Sequence, residues 1–401
     1  MILWPANREP RTTSIDVSDD PCIALLKSLI AIDSVNPSLV PGAAGEGRIA
    51  DAIASHLRGL GLDVATEIVR PGRPNVIGVL EGEEPGRSLM LCGHTDTVGV
   101  DGMTAPFEAV ERGGRIFGRG SQDMKGGVAA MIDAARLARE RGFRKGRLVI
   151  AAVVDEEYAS LGADALVTRW SADAAVVTEP TDLQIGVGHK GFAWLEIVTH
   201  GRAAHGSRPR EGRDAIARMG RVLARLEALD RELQARPAHR VMGTASLHAS
   251  TIEGGAEWSS YPDRCRLELE RRTVAGELDA AVVAEVESIL ADLRSEDREF
   301  EAAARLVFAR PPYELPAGHP LLDALARSAR AAGIESAPIG MSFWTDAAVL
   351  GAAGIPSVLF GPGGAGLHSL EEFVRLDEVI ACRDVLADLA LSWCGAATPN
   401  P

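Results

Sequence analysis

Apolar and polar positions follow two rhythms along this chain, and the change between them falls near residue 186. Before it, helical spacing over residues 23–32 is stopped at Ser34-Val35-Asn36-Pro37, because proline disfavours helix in the residue before it. Residues 45–60 carry a second helical pattern, closed by Gly61 at a C-terminal cap. Short unbroken apolar runs at 75–80, 88–92, 148–154 and 174–178 predict strands. Between the second and third of these, residues 125–141 repeat apolar side chains at helical spacing (Val128, Met131, Ile132, Ala135, Leu137). Continuous apolar strands separated by helices predict an α/β domain, its sheet mixed but mostly parallel and covered by helices on both faces.

Past residue 186 the pattern predicts strands at 191–199, 245–251, 264–271 and 300–308, with helices at 214–229 and 278–293. Strand, helix, strand, strand, helix, strand is the ferredoxin-like α+β order. Helices at 320–332, 346–353 and 377–394 and a strand at 355–360 then resume the first rhythm. The chain is therefore expected to hold a discontinuous domain, residues 1–186 and 310–401, and an inserted one, residues 187–309.

Composition narrows the function classes. Lys plus Arg is 42 against 56 for Asp plus Glu, a formal net charge of −14, which makes nucleic acid or an anionic membrane an improbable main partner. No apolar run approaches the ~20 residues of a membrane helix, and residues 1–20 read as a short frayed arm rather than a secretory signal. Five scattered cysteines without a C-x-x-C pair suggest reduced, buried thiols in a cytoplasmic protein. Trp258 and the Phe343-Trp344 pair read as buried packing.

The chemistry gathers where predicted strands end. His94-Thr95-Asp96 follows the strand at 88–92, Asp155-Glu156-Glu157 follows 148–154, and Glu179 follows 174–178. Asp123 sits just before the long helix, and His368 follows the strand at 355–360 and its Gly361-Pro362-Gly363-Gly364 turn. In open α/β sheets the carboxyl edge of the strands is where ligands bind. Several buried carboxylates together are unfavourable by several kcal/mol per unpaired charge, and a divalent cation relieves that repulsion. Two His with carboxylates and no thiolate suit Zn²⁺, Co²⁺ or Mn²⁺. They are too many ligands for one ion, but shared between two by a bridging carboxylate they leave room for water. Asp96, two residues after His94, is placed to accept from the second ring nitrogen and fix its tautomer. Glu156 and Glu157 are adjacent, so one can bind metal while the other serves as general base.

From about residue 22 to 394 these motifs resemble, in order, the co-catalytic dinuclear-zinc metallohydrolases: acetylornithine deacetylase, succinyl-diaminopimelate desuccinylase, aminoacylases and glutamate-releasing carboxypeptidases. The resemblance implies that His94 and Glu179 hold one metal, Glu157 and His368 the other, with Asp123 bridging, Asp96 orienting His94 and Glu156 as base. It implies that the insert is a lid or dimerisation domain. His205, in Gly201-Arg202-Ala203-Ala204-His205-Gly206, would then stabilise the oxyanion in the partner subunit of a homodimer. Arg272 would grip a substrate carboxylate, and the loop around Gly363 would line the substrate. Two departures stand out: Ser259 and Ser260 lie where many relatives carry Asn before Tyr261-Pro262-Asp263, and Asp214 replaces an Asn in the insert's first helix.

The expected function is a dimetal-dependent hydrolase, with two Zn²⁺ (or Co²⁺ or Mn²⁺), that cleaves the amide bond of N-acyl amino acids or related small N-acyl amines. It is acetylornithine deacetylase-like and belongs to amino-acid metabolism. A dipeptidase or glutamate-releasing carboxypeptidase is the alternative within the class, and a non-catalytic metal-binding scaffold the alternative outside it. Nucleotide binding is disfavoured, because Gly118-Arg119-Gly120 is not a full dinucleotide fingerprint and Asp123 would repel pyrophosphate.

Overall fold

The computed structural model describes residues 19–396, so all of the expected N-terminal arm except Asp19 and Asp20 lies outside the described residues. The chain divides into two compact units, residues 19–187, 315–339 and 345–396 in the first, and Gly188–Glu314 with Gly340–Trp344 in the second. The first unit begins with α1 (Pro21–Ile30), α2 (Gly47–Gly59), β1 (Asp63–Arg70), β2 (Arg73–Glu81) and β3 (Glu84–His94). It continues through α3 (Gly126–Glu140), β4 (Lys145–Val153), α4 (Leu161–Leu166), β5 (Ala174–Val177) and β6 (Ile185–His189), where the chain passes into the second unit. That unit contains β7 (Gly191–His200), α5 (Ala215–Ala235), β8 (Ser246–Gly254), β9 (Arg264–Thr273), α6 (Asp279–Glu296) and β10 (Glu301–Arg310). The return supplies α7 (Pro320–Ala331), α8 (Ala347–Ala352), β11 (Ser357–Leu359) and α9 (Leu376–Cys394).

In the first unit the sheet order is β1-β2-β4-β3-β5-β11-β6. Its centre, β4-β3-β5-β11, is parallel, while β1, β2 and β6 add antiparallel margins. The central strands are the unbroken apolar runs of the sequence: Leu89 to Cys92, Leu148 to Val153 and Ala174 to Val177 are all buried. The chain steps from β3 through α3 to β4, then back across β3 through α4 to β5. Right-handed crossovers in opposite directions put α3 and α4 on opposite faces. α3 packs with α1 and α9, and α4 with α8. Val128, Met131, Ile132 and Ala135 of α3 are fully buried, the larger ones contributing about 1.5–3 kcal/mol each. Gly127 opens this helix against the end of β5, where a Cβ would collide with the Thr178 carbonyl. Since the central strands run the same way, His94, the 155–157 turn, Glu179 and the 361–364 turn emerge at one edge.

The second unit is a four-stranded antiparallel sheet in the order β8-β9-β7-β10. Leu195, Ile197, Leu267 and Leu269 from one face pack on Val222 and Leu226 of α5 and Val286 and Leu290 of α6. This is the ferredoxin-like arrangement. Asp214 caps α5 by accepting from the Ala217 amide at 2.8 Å, a task open to Asn and Asp alike. All five cysteines are buried and free. Trp258 departs from expectation: it is fully exposed, on a loop with no core to receive it, whereas Trp344 is buried beside His189 and Phe192.

His189 gives this unit a pH dependence. It is fully buried against Tyr313 and Trp344, with Nδ1–H donating to the Lys190 carbonyl at 3.0 Å and Nε2 without a hydrogen-bond partner among the described residues. Burial holds its pKa down at about 4. The folded value lies below the unfolded one near 6.5, so the contribution to stability is present above pH 6.5 and lost as pH falls toward 4. The expected loss is about 3 kcal/mol across that window. Denaturant unfolding at pH 7 and pH 4.5 checks it: His189→Phe flattens the difference, and an equal difference in both proteins refutes the assignment.

Candidate metal centre

The first unit brings all five expected ligands together. His94 ends β3 with its ring 1% exposed, and its Nε2 lies 3.1 Å from Asp123 Oδ1 and 4.0 Å from Glu179 Oε1. On the other side His368 Nε2 lies 3.0 Å from Glu157 Oε2 and 3.4 Å from Asp123 Oδ2. Asp123 thus offers one oxygen to each imidazole. The donor atoms form two triads, His94–Asp123–Glu179 and Asp123–Glu157–His368, each with its atoms within 4.8 Å of one another. Glu156 belongs to neither triad, although its Oε2 stands 4.0 Å from His94 Nε2.

The electrostatics follow from packing these acids together, most of them buried, with the His368 ring at the open side. Burial raises the Glu156 and Glu179 carboxyls well above the usual range, with Glu179 adding to the first shift and Asp123 to the second. Burial and Asp123 lift Glu157 to about 7. Burial would also raise Asp123, but hydrogen bonds to His368 and His94 hold it well below normal. His368 is raised to about 10 by its hydrogen bonds to Asp123 and Glu157. Buried Glu157 Oε1 has no hydrogen-bond partner among the described residues. An orphaned carboxylate oxygen among crowded acids, with imidazoles standing in as the positive charge, is the environment a pair of dications fits.

The surrounding hydrogen bonds differ in part from the spacing argument. His94 Nδ1 meets the main-chain carbonyl of Asp96 at 3.0 Å, while the Asp96 carboxylate is 3.6 Å away, beyond hydrogen-bonding distance. The carboxylate instead accepts from the Glu156 and Glu157 amides at 3.1 and 3.2 Å and from Asn36 Nδ2 at 2.7 Å. Asn36, read from sequence only as a helix stop, leads on to Arg73, Glu46 and Asp155. Glu372 was likewise unmarked. It accepts from the amides of Gly120, Gln122 and Asp123 at 2.8–3.0 Å and pairs with Arg119 at 2.7 Å, so it holds the turn that presents Asp123. Arg119 also reaches the Ser369 carbonyl beside His368, at 3.1 Å. No local motif marks these residues, because their partners lie from about 30 to 250 positions away.

The other expected site residues have different surroundings. Gly363 is buried, its amide donating to Glu378 at 2.7 Å, and a Cβ there would collide with Asp182 and Arg375. Close packing is therefore a sufficient reason for glycine. Within the second unit, His205 is exposed on a turn, and its Nδ1 accepts from the Ser207 amide at 3.2 Å, which places the proton of the neutral ring on Nε2. Arg272 ends β9 with its Nε 2.6 Å from Glu270 Oε1 and its guanidinium 5.7 Å from the centre of the Phe192 ring.

Comparison with known proteins agrees in kind. Residues 90–392 match Peptidase family M20/M25/M40. The chain is 31% identical over 406 residues to N-formyl-4-amino-5-aminomethyl-2-methylpyrimidine deformylase of Bacillus subtilis, covering 93% of this chain and 94% of that protein. It is 31% identical over 333 residues to acetylornithine deacetylase of Myxococcus xanthus, covering 80% and 84%. Among solved structures, a dinuclear metal-binding M20 peptidase of Bacillus subtilis superposes with a TM-score of 0.72 at 18% identity, covering 93% of this chain and 98% of the other.

Proposed function

The chain belongs to Peptidase family M20/M25/M40 and is a hydrolase acting on amides, and from that premise we propose that it removes a short acyl group from the amino nitrogen of a small amino acid or related amine. The carrying observation is Asp123, one carboxylate placed between two His-bearing triads, with Glu156 beside them and committed to neither. His94 and Glu179 would hold one dication, Glu157 and His368 the other, and Asp123 both. When bound, such a pair supplies an acidified water and a polarised scissile carbonyl. Glu156 accepts the proton of the attacking water at its carboxylate and returns it to the leaving amine nitrogen. Its Oε2 stands 4.0 Å from His94 Nε2 and outside both triads, so it is free to carry the proton while the other carboxylates hold metal. His205, with its proton on Nε2, is a donor suited to the developing oxyanion. A homodimer paired through the second unit, whose edge strand β8 is largely exposed, and a reducing cytoplasmic setting complete the reading.

A dipeptidase or glutamate-releasing carboxypeptidase would need a free cation for the substrate's carboxylate. Arg272 is already engaged by Glu270, which also accepts from Trp194 Nε1 at 3.0 Å; this weighs against any substrate gripped by its carboxylate and favours N-acyl amines over both N-acyl amino acids and peptides. The test is a hydrolysis panel of N-formyl, N-acetyl and N-succinyl amines and amino acids plus dipeptides, with Zn²⁺, Co²⁺ and Mn²⁺ supplied separately. Short acyl amines are expected to exceed dipeptides in kcat/KM by at least about tenfold, or about 1.4 kcal/mol of transition-state preference. Turnover of dipeptides alone replaces this reading with the peptidase one. No turnover of any compound replaces it with a metal-binding scaffold.

A further inference from the structure

Asn36 is fully buried, and each of its side-chain capacities is used. One Nδ2 contact goes to Asp96 Oδ2 at 2.7 Å and another to Asp155 Oδ1 at 3.2 Å. Its Oδ1 accepts from the Ser38 amide at 2.8 Å and from Arg73 Nη2 at 3.1 Å. The orientation of the amide is therefore set by its neighbours: carboxylates take the nitrogen and a guanidinium faces the oxygen. Its backbone is pinned as well, the Asn36 amide donating to the Thr97 carbonyl at 2.9 Å, just beyond His94-Thr95-Asp96.

The two carboxylates it joins grip the same turn from two sides. Asp96 receives the main-chain amides of Glu156 and Glu157. Asp155, the first residue of that turn, has φ 70° and is anchored by Arg73 at 2.8 Å and Ser38 Oγ at 3.1 Å. Arg73 is itself oriented by Glu46, through contacts of 2.7 and 2.5 Å. Asp96 and Asp155 are both fully buried, and a neutral double donor between them gives each a hydrogen bond without adding charge. Asp at position 36 would set a third carboxylate against them, and an apolar side chain would leave both short of a donor. Asn36, Glu46 and Arg73 all lie outside the stretch, residues 90–392, that matches the family.

We propose that Asn36 is a positioning residue for the reaction: acting through Asp96 and Asp155, it holds the 155–157 turn so that Glu156 faces the attacking water and Glu157 the metal. This rests on Glu156 serving as base in the proposed hydrolysis. Outer partners of metal sites typically change metal affinity or activity by about 10–100-fold when removed. In the full-length chain, Asn36→Ala lowers kcat by about that factor with KM within about twofold. Adding Asn36→Ala to Asp96→Ala lowers the rate by a smaller factor than Asn36→Ala does alone, because one of its two routes, the Asp96 one, is already cut. Co²⁺ titration followed by visible absorption reads the same two ions bound to Asn36→Ala, at least one of them about tenfold more weakly.

Equal rate losses in both backgrounds overturn the proposal, as does a lowered melting temperature with kcat and Co²⁺ affinity unchanged. Should Asn36→Ala not fold, Arg73→Lys keeps a charge beside Glu46 but loses the fork that reaches Asn36 and Asp155. It is expected to lower kcat in the same selective way, and an unchanged kcat there overturns the proposal too. Wild-type protein that binds Co²⁺ but hydrolyses nothing ends the proposed reaction, while weaker Co²⁺ binding by Asn36→Ala still supports the positioning role. A wild-type rate untouched by either variant ends the positioning role alone.

Discussion

Replacing Glu156 with Gln lowers kcat by about 10²–10⁴-fold and leaves two metal ions bound, the range expected when a positioned acid–base group is removed. Glu156 stands beside His94 without joining either triad, and its side chain is 11% exposed. Gln keeps the shape and cannot carry the proton. Metal analysis beside steady-state kinetics separates the contributions, since a structural carboxylate would lose metal along with rate. Retained turnover at the wild-type level removes Glu156 from the chemistry. Metal loss in proportion to activity makes it a ligand instead.

Asp123→Ala has the opposite signature, losing activity and metal together. Its two oxygens face His94 at 3.1 Å and His368 at 3.4 Å, so one truncation strips a donor from both triads. Metal content is expected to fall from two ions per chain to one or none, with turnover below detection. Glu179→Ala, which touches a single triad, is the comparison and keeps more metal. An Asp123→Ala protein that still binds two ions would mean that the carboxylate is not shared.

How far the sequence reached depended on where each element's partners lie. The central strands were visible because burial on both faces leaves an unbroken apolar run, as at Leu148 to Val153. β1 was not, because an edge strand alternates exposed and half-buried positions and its Asp63-Val64-Ala65-Thr66 opening has no apolar run. β6 and the one-and-a-half-turn α4 were too short to show a period. The second unit's order was legible since β9 alternates buried and half-buried positions and α5 and α6 each carry a buried stripe. In the site, residues that directly follow a strand announced themselves. Asn36 and Glu372 did not, because a buried polar side chain earns its place from contacts 60 and about 250 residues distant. Asp96 sat between these cases: its spacing pointed to the His94 ring, and the fold turned its carboxylate to the 156–157 amides instead.

The discontinuity of the first unit bears on the order in which the chain acquires structure during synthesis. The second unit is contiguous except for Gly340–Trp344, so most of it is available once residue 314 has emerged. The first must wait for its last helix: α9 buries Val379, Leu386, Leu389 and Trp393, and Trp393 Nε1 reaches the Ser88 carbonyl of β3 at 3.0 Å. Until then β3 and α3 lack a neighbour, and the apolar strands that carry the ligands depend on other protection against association. A nascent chain of this protein therefore passes through an interval with its inserted third formed and its larger, ligand-bearing unit open.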